Sequence, residues 1–306
     1  MLGSNLVLVA VAGFIAQLID GALGMGYGVT ATTILLTAGL TPAVASASVH
    51  FAELGTTLAS GAAHWRFGNV NWKVVSRLAI PGGIGAFLGA YVLSSVDATA
   101  ARPWVSLVLL LLAVLILYRA VAGRSARLPQ VPIRWYTLGP LGIVAGFIDA
   151  AGGGGWGPVS TSTLMAANRM QPRKVIGTVS ASEFLVAAGA SVGFLIGLGL
   201  EEIAWDAVAV LLVGGIIAAP IAAWLVRRID HQILGAVIAG MIIVTNSERV
   251  LALAGVGPDV ALAVRIVTIV LTVGLAAGLW IRKRRDSARF IAAGRSLGTP
   301  PGPEGG

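Results

Sequence analysis

The chain says one thing twice. The segment F-I-A-Q-L-I-D-G-A-L-G-M-G-Y-G ends at Gly28, and F-I-D-A-A-G-G-G-G-W-G ends at Gly157. A shift of 129 residues places Asp20 on Asp149, Gly24 on Gly153, Gly26 on Gly155, Tyr27 on Trp156 and Gly28 on Gly157. After one inserted residue, Pro42 falls on Pro172 and Glu53 on Glu183. Both copies lie in very apolar sequence. Glycine is a poor helix former and tolerates backbone dihedrals closed to other residues. Each copy therefore predicts a helix that breaks and restarts. Gly-interrupted apolar segments at matching positions of two halves point to a transporter binding site.

Composition sets the solvent. The chain is 57% hydrophobic and 11% charged, against about 25% charged in a soluble domain. It reads as an all-α polytopic membrane protein whose partner is the lipid bilayer. There is no Cys, which excludes disulfides, a thiol nucleophile and thiolate metal ligation. His50, His64 and His231 are scattered, so no metal site is expected, and no cofactor either. Met1 to Asn5 carry no basic residue, so Leu6 onward is expected to remain in the protein rather than be cleaved as a signal. The net charge of +8 sits in short loops and in Arg282-Lys283-Arg284-Arg285 beside apolar spans. That is a topology signal, and nucleic acid is not an expected partner.

Apolar runs of about 20 residues, enough for one crossing, fall near 43–63, 74–96, 102–120, 173–197, 204–226, 232–253 and 260–281. Two runs, 5–38 and 135–168, fit no single crossing. Each would be roughly 51 Å long as a helix, too long for one span and too short for two with a turn. The glycines fall near the middle of each. Both runs are expected to be broken, re-entrant helical hairpins, since irregular backbone at membrane depth survives only inside protein or against a wet cavity.

The charges give the orientation. With a cytoplasmic C-terminus, the inside receives Arg66, Lys73, Arg77, Arg119, Arg124, Arg127, Arg134, Arg169, Arg173, Lys174, Arg227, Arg228 and the six basic residues from Arg282 to Arg295; Arg102, Arg249 and Arg265 face outward. The bias follows the positive-inside rule. It requires each half to be one hairpin plus three crossings, so the two repeats are inverted and the last span is an addition. The expected organisation is a first repeat over 1–121, a cytoplasmic linker over 122–134 with Pro129 and Pro132, a second repeat over 135–254, an extra transmembrane helix over 255–285 and a disordered tail over 286–306. Seven crossings put the N-terminus outside.

These residues resemble the TauE/SafE family of membrane proteins, named for sulfite and organosulfonate export. The resemblance runs from about Leu6 to Trp280 and is carried by D20-G-A-L-G-M-G-Y-G28 and D149-A-A-G-G-G-G-W-G157, followed by Pro42, Pro172 and the helices bearing Glu53 and Glu183. It implies a secondary transporter exporting small sulfur-containing anions from the cytoplasm across the plasma membrane of a prokaryote.

The glycines Gly24, Gly26, Gly28, Gly152 to Gly155 and Gly157 either allow close helix packing or form loops whose N–H groups face a central cavity. A helix beginning after each loop presents unpaired donors and positive dipole, which suits an anion without a buried Lys or Arg. Thr30, Thr32, Thr33, Ser160, Thr161 and Ser162 follow the glycines; their hydroxyls either donate to anion oxygens or bond back to helix carbonyls. Tyr27 and Trp156, at equivalent positions, are a substrate wall or packing for the tips. The expected substrate contacts are Gly24, Gly26, Tyr27, Gly28, Thr32, Gly153, Gly155, Trp156, Gly157 and Thr161.

Ionisable groups at membrane depth are functional candidates by default. Asp20 and Asp149 either cap their broken helices or take part in transport. Glu53 and Glu183 lie inside the following spans and could carry a proton coupled to anion movement. His50 lies one turn before Glu53 on the same face, which makes His50–Glu53 a proton-handling pair. Ser180 occupies the His50 position of the second repeat, so the halves are not equivalent. Arg66, Arg173 and Lys174 flank the cytoplasmic mouth, and Asn69 to Trp72 with Trp104, Trp135, Trp205 and Trp280 suit the membrane interface.

Two rivals stand beside the transporter. An intramembrane enzyme acting on a lipid phosphate would normally want an Arg near the glycines, and there is none. An anion channel is the other. No G-x-x-x-x-G-K-[ST] motif is present, so ATP is not a direct drive from this chain. The oligomeric state is open, a homo-oligomer included.

Overall fold

The computed structural model describes residues 6–23, 25–122, 135–161, 163–164, 167, 170, 172–225 and 231–296, and every regular element among them is helical. The first long apolar run is divided at its glycines: α1 (Leu6–Leu23) stops, Gly26 adopts a φ of 118°, and α2 (Tyr27–Thr37) starts. Thr41 caps α3 (Pro42–Arg66) by accepting the Val44 N–H at 3.4 Å. Pro42 sits in its first turn, where the missing N–H would have had no helical partner anyway. α4 (Trp72–Ser95) and α5 (Ala98–Ala122) complete the first half.

The second half repeats the order with α6 (Trp135–Gly152), a π-helical segment (Gly157–Thr161), α7 (Pro172–Leu198), α8 (Trp205–Leu225) and α9 (His231–Leu253). α10 (Pro258–Ser296) follows and packs on α9. It stays helical past the expected span 260–281 and into the expected disordered tail as far as Ser296. Residues 282–296 include six Lys or Arg and three Ala, good helix formers, which favour continuing the helix beyond its apolar part. Gly24, Ser162, Arg169, Arg227, Arg228, linker residues 123–134 and tail residues 297–306 lie outside the described residues.

Packing is exchanged between the halves. α1 lies on α8, and its counterpart α6 lies on α4; α3 lies on α8, and its counterpart α7 on α4. α3 meets α7 and α5 meets α9. The crossing of α4 and α6 depends on absent side chains. A Cβ on Gly142 or Gly146 of α6 would run into backbone of Leu78 or Gly82, and one on Gly85 or Gly89 of α4 into the carbonyls of Ile143 or Phe147. Such backbone proximity is how helices associate where lipid removes the hydrophobic drive.

The surface is apolar over much of its area, and several ionisable groups lie within a mainly apolar interior. Ile80, Ile84, Leu111, Val213 and Ile217 are exposed, while Asp20, His50, Glu53, Asp149 and Glu183 are buried. Among the described residues, four helices are long and apolar enough to cross a bilayer: Trp72–Ser95, Arg173–Leu198, Trp205–Ala222 and Pro258–Lys283. Pro103–Tyr118 is a shorter apolar helix within α5. The runs expected near 43–63 and 232–253 form α3 and α9, whose hydropathy is lowered by polar side chains such as Ser46, His50, Glu53 and Asn246.

Candidate functional site

Each helix break is tied by the aspartate that precedes its glycines. Asp149 Oδ1 accepts the Gly155 N–H at 2.7 Å and the Trp156 N–H at 2.9 Å, and the Asp149 carbonyl accepts the Gly154 N–H at 2.8 Å. Asp20 accepts the Tyr27 N–H, the equivalent bond in the first half. Both carboxylates thus satisfy donors at the start of an outgoing segment, which a helix cannot satisfy itself. The outgoing segments differ. α2 is a regular helix, whereas Gly157–Thr161 winds as a π-helix around Pro158, which has no N–H and stands where the first half has Val29.

The two breaks touch. A Cβ on Gly28 would come within 3.0 Å of the Gly154 Cα, and one on Gly154, whose φ is 139°, would overlap the Val29 backbone nitrogen. Gly153 lies equally close against the Thr32 side chain. The same hypothetical Gly28 Cβ is 3.4 Å from Glu53 Oε1 and 3.8 Å from Asp149 Oδ1. The acids of α3 and α6 therefore stand at the meeting point of the breaks.

His50 bridges the halves there. Its Nε2 is 3.1 Å from Asp149 Oδ2 and 3.9 Å from Glu53 Oε2, so its nearer partner is the aspartate of the other half. His50 Nδ1 lies 2.8 Å from the Ser46 carbonyl, and the Ser46 hydroxyl donates to the Ala150 carbonyl at 2.8 Å. The facing atoms of His50, Glu53 and Asp149 all lie within 4.8 Å of one another. Asp20, Glu53, Asp149 and Glu183 are close enough to act on one another electrostatically, and Tyr27 lies in the field of Asp20, Glu53 and Glu183. Glu53 Oε2 is buried and has no hydrogen-bond partner in the protein.

The buried hydroxyls fall into two groups, those that bond back to a helix carbonyl and those that do not. Thr37 bonds back to the Thr33 carbonyl, Ser48 to Val44 and Thr163 to Val159. Thr30, Thr32 and Ser160 are buried with their hydroxyl oxygens unpartnered by the protein. A buried hydroxyl without a partner loses the energy of its hydration, about 1–3 kcal/mol; Thr56, Ser106 and Ser191 are buried and unpartnered too, and of the hydroxyls after the glycines Thr32 lies against Gly153, where the breaks meet. Thr33 accepts from the Asn246 side-chain nitrogen at 3.2 Å, and Thr161 is buried.

The aromatics at the tips are packed. Trp156 is fully buried against the Gly82 face of α4, and its Nε1 donates to the Val179 carbonyl at 3.2 Å; the Tyr27 hydroxyl donates to Leu211 at 3.4 Å. Ser180, at the His50 position of the second half, turns to Ser60 at 2.9 Å instead. Arg66, Arg173 and Lys174 are exposed, and so are Trp72, Trp104, Trp205 and Trp280. Ser46, Gly154 as a contact point and Asn246 escape sequence reasoning as site residues. Asn246 carries a faint signal, a polar run T-N-S-E-R ending at Arg249 inside an apolar span.

With this geometry in view, the comparisons with known proteins converge. The family described as sulfite exporter TauE/SafE matches residues 9–248, which include both breaks and end inside α9. The chain is 51% identical over 249 residues to the probable membrane transporter protein YtnM of Bacillus subtilis (strain 168), covering 81% of this chain and 83% of that one. It is 26% identical over 253 residues to YjnA of the same organism, also named a probable membrane transporter protein, covering 78% of this chain and 96% of that one. No solved structure matches it.

Proposed function

The chain belongs to the sulfite exporter TauE/SafE family, and from that premise we propose that it is a secondary transporter exporting small sulfur-containing anions, sulfite or an organosulfonate, with proton coupling. The anion binds where the two glycine breaks meet. The observation that carries this reading is the direct contact of the two breaks at Gly28 and Gly154, with the buried, unpartnered Thr32 hydroxyl beside it against Gly153. Hydroxyls and backbone N–H groups there donate to anion oxygens, a mode that needs no buried Lys or Arg.

In this reading the breaks are tips of re-entrant hairpins, and the halves are inverted repeats. The exchanged packing of α1 on α8 and α6 on α4 supports that relation. Helices α3, α4, α5, α7, α8, α9 and α10 are the seven crossings, with the C-terminus in the cytoplasm. Movement of one half against the other about a shared site is the usual means of alternating access.

Uptake into proteoliposomes tests the function, using sulfite, methanesulfonate, sulfate and acetate with and without a pH gradient. Saturable flux with counterflow for the sulfur anions is expected. Flux that never saturates would make the protein a channel, and no flux of any sulfur anion would overturn the reading. Single cysteines added to this Cys-free chain should label from outside at Thr41 and Gly199, and from inside at Arg285.

A further inference from the structure

This inference rests on the transporter reading above. We propose that the anion and a proton occupy the centre together, the proton lying between His50 Nε2 and Asp149 Oδ2, so that the protein carries both in the same direction.

Hydrogen accounting requires the proton. The Ser46 carbonyl can only accept, so His50 Nδ1, 2.8 Å away, carries a hydrogen. A neutral imidazole then has a bare lone pair on Nε2. Opposite it, at 3.1 Å, stands Asp149 Oδ2. A carboxylate oxygen also only accepts. Two acceptors at that distance repel unless a hydrogen lies between them. Asp149 cannot turn away, because Oδ1 holds the Gly155 and Trp156 N–H groups. Glu53 Oε2, buried, unpartnered and 3.9 Å from Nε2, is a second acceptor for the same hydrogen. The pair therefore holds a proton with a relay partner beside it.

The surroundings decide the sign of the coupling. Glu53 from α3 and Asp149 from α6 stand at the meeting point, and Asp20 from α1, Glu183 from α7 and Tyr27 from α2 are near enough to act on them electrostatically. The one buried basic side chain in direct contact with them, among the described residues, is His50. The described charged side chains of α4 and α8, namely Lys73, Arg77 and Asp206, are exposed near the starts of those helices. An anion entering without that proton meets four carboxyl groups and no positive charge. An anion entering with a proton on the His50–Asp149 pair adds no net charge to the centre. Each ligand therefore raises the affinity for the other, and thermodynamic linkage makes that reciprocal. Antiport would need the two to exclude each other, and oppositely charged ligands in adjacent seats attract instead. The net direction of transport then follows the sum of the anion and proton gradients.

The test uses methanesulfonate, which keeps its charge throughout the neutral range, in proteoliposomes with clamped voltage and a trapped pH dye. The reading is protons moved per anion, which is independent of the amount of active protein. Luminal acidification accompanying methanesulfonate uptake is expected. Asp149→Asn should reduce the ratio from one proton per anion to none, because the Asn oxygen keeps the Gly155 and Trp156 bonds while its amide donates permanently to Nε2. Glu53→Gln, without the relay acceptor, should lower the ratio as well. Luminal alkalinisation, or anion flux without any pH change in the wild type, would overturn co-transport and leave the transporter standing. Absence of flux for every sulfur anion would instead remove the transporter itself, and co-transport with it.

Discussion

The two glycine breaks begin as copies and end as different devices. In the first, Asp20 accepts the Tyr27 N–H and the chain continues into an ordinary helix. In the second, Asp149 holds two backbone N–H groups with one oxygen and His50 of the other half with the other. Its outgoing segment is a π-helix carrying Pro158. The shared part, an acid that caps a broken helix, is what the duplication needed in both places. The divergent part is the connection between halves, and it gathers at the second break. The repeated sequence thus keeps its aspartate cap twice and makes the histidine contact once.

The largest effect that could break this comparison is loss of each aspartate. Asp149→Ala abandons two buried N–H groups and the His50 contact, and each orphaned buried group costs about 1–3 kcal/mol. Asp20→Ala should cost less. Thermal unfolding in detergent should show the greater fall for Asp149→Ala, together with loss of anion flux; equal falls would mean that the breaks are equivalent after all.

A smaller effect compares the glycines. Gly154→Ala forces a side chain into a left-handed backbone and into the Val29 backbone nitrogen, so flux should be abolished while the protein still inserts. Gly26→Ala meets the same backbone strain but only the Ile19 side chain at 3.3 Å, which can give way. It should retain part of the flux. Full activity in Gly154→Ala would show that the breaks need not touch.

The smallest effect sharpens the comparison from the ligand side. Thr32→Val and Ser160→Ala each remove one proposed donor, from the first and the second break. Hydrogen bonds to a charged partner contribute about 1.5–3 kcal/mol, so the half-saturating anion concentration should rise roughly ten- to a hundredfold in each. Thr37→Val, whose hydroxyl merely bonds back to Thr33, should leave it unchanged. If one of the two donor variants is silent, the anion leans on a single break.

The breaks themselves were legible because glycine and aspartate act locally. The Asp-to-Gly spacing that aligns Asp20 with Asp149 also places each carboxylate over the N–H of residue 27 or 156. The pairing of His50 was not legible. Sequence shows that Glu53 is one helical turn away, and in the folded chain the two are indeed 3.9 Å apart. The nearer partner, Asp149, comes from 99 residues along the chain and is delivered by the packing of α6 near α3. Local periodicity carries no information about that. The direct contact of Gly28 with Gly154 is hidden for the same reason. The π-helix is not legible either: Pro158 stands where the first half has Val29, but a proline in a first turn is compatible with an ordinary helix.

The exchange of helices between halves also dictates an order of assembly. α1 leaves the ribosome long before α8, on which it lies, and α3 carries His50 and Glu53 before Asp149 exists. Until α6 to α8 arrive, the first five helices hold their acids and glycine faces without the surfaces that cover them. The first half therefore completes its packing only once the second is made, and a chain stopped after α5 would leave α1 without α8 and His50 without Asp149.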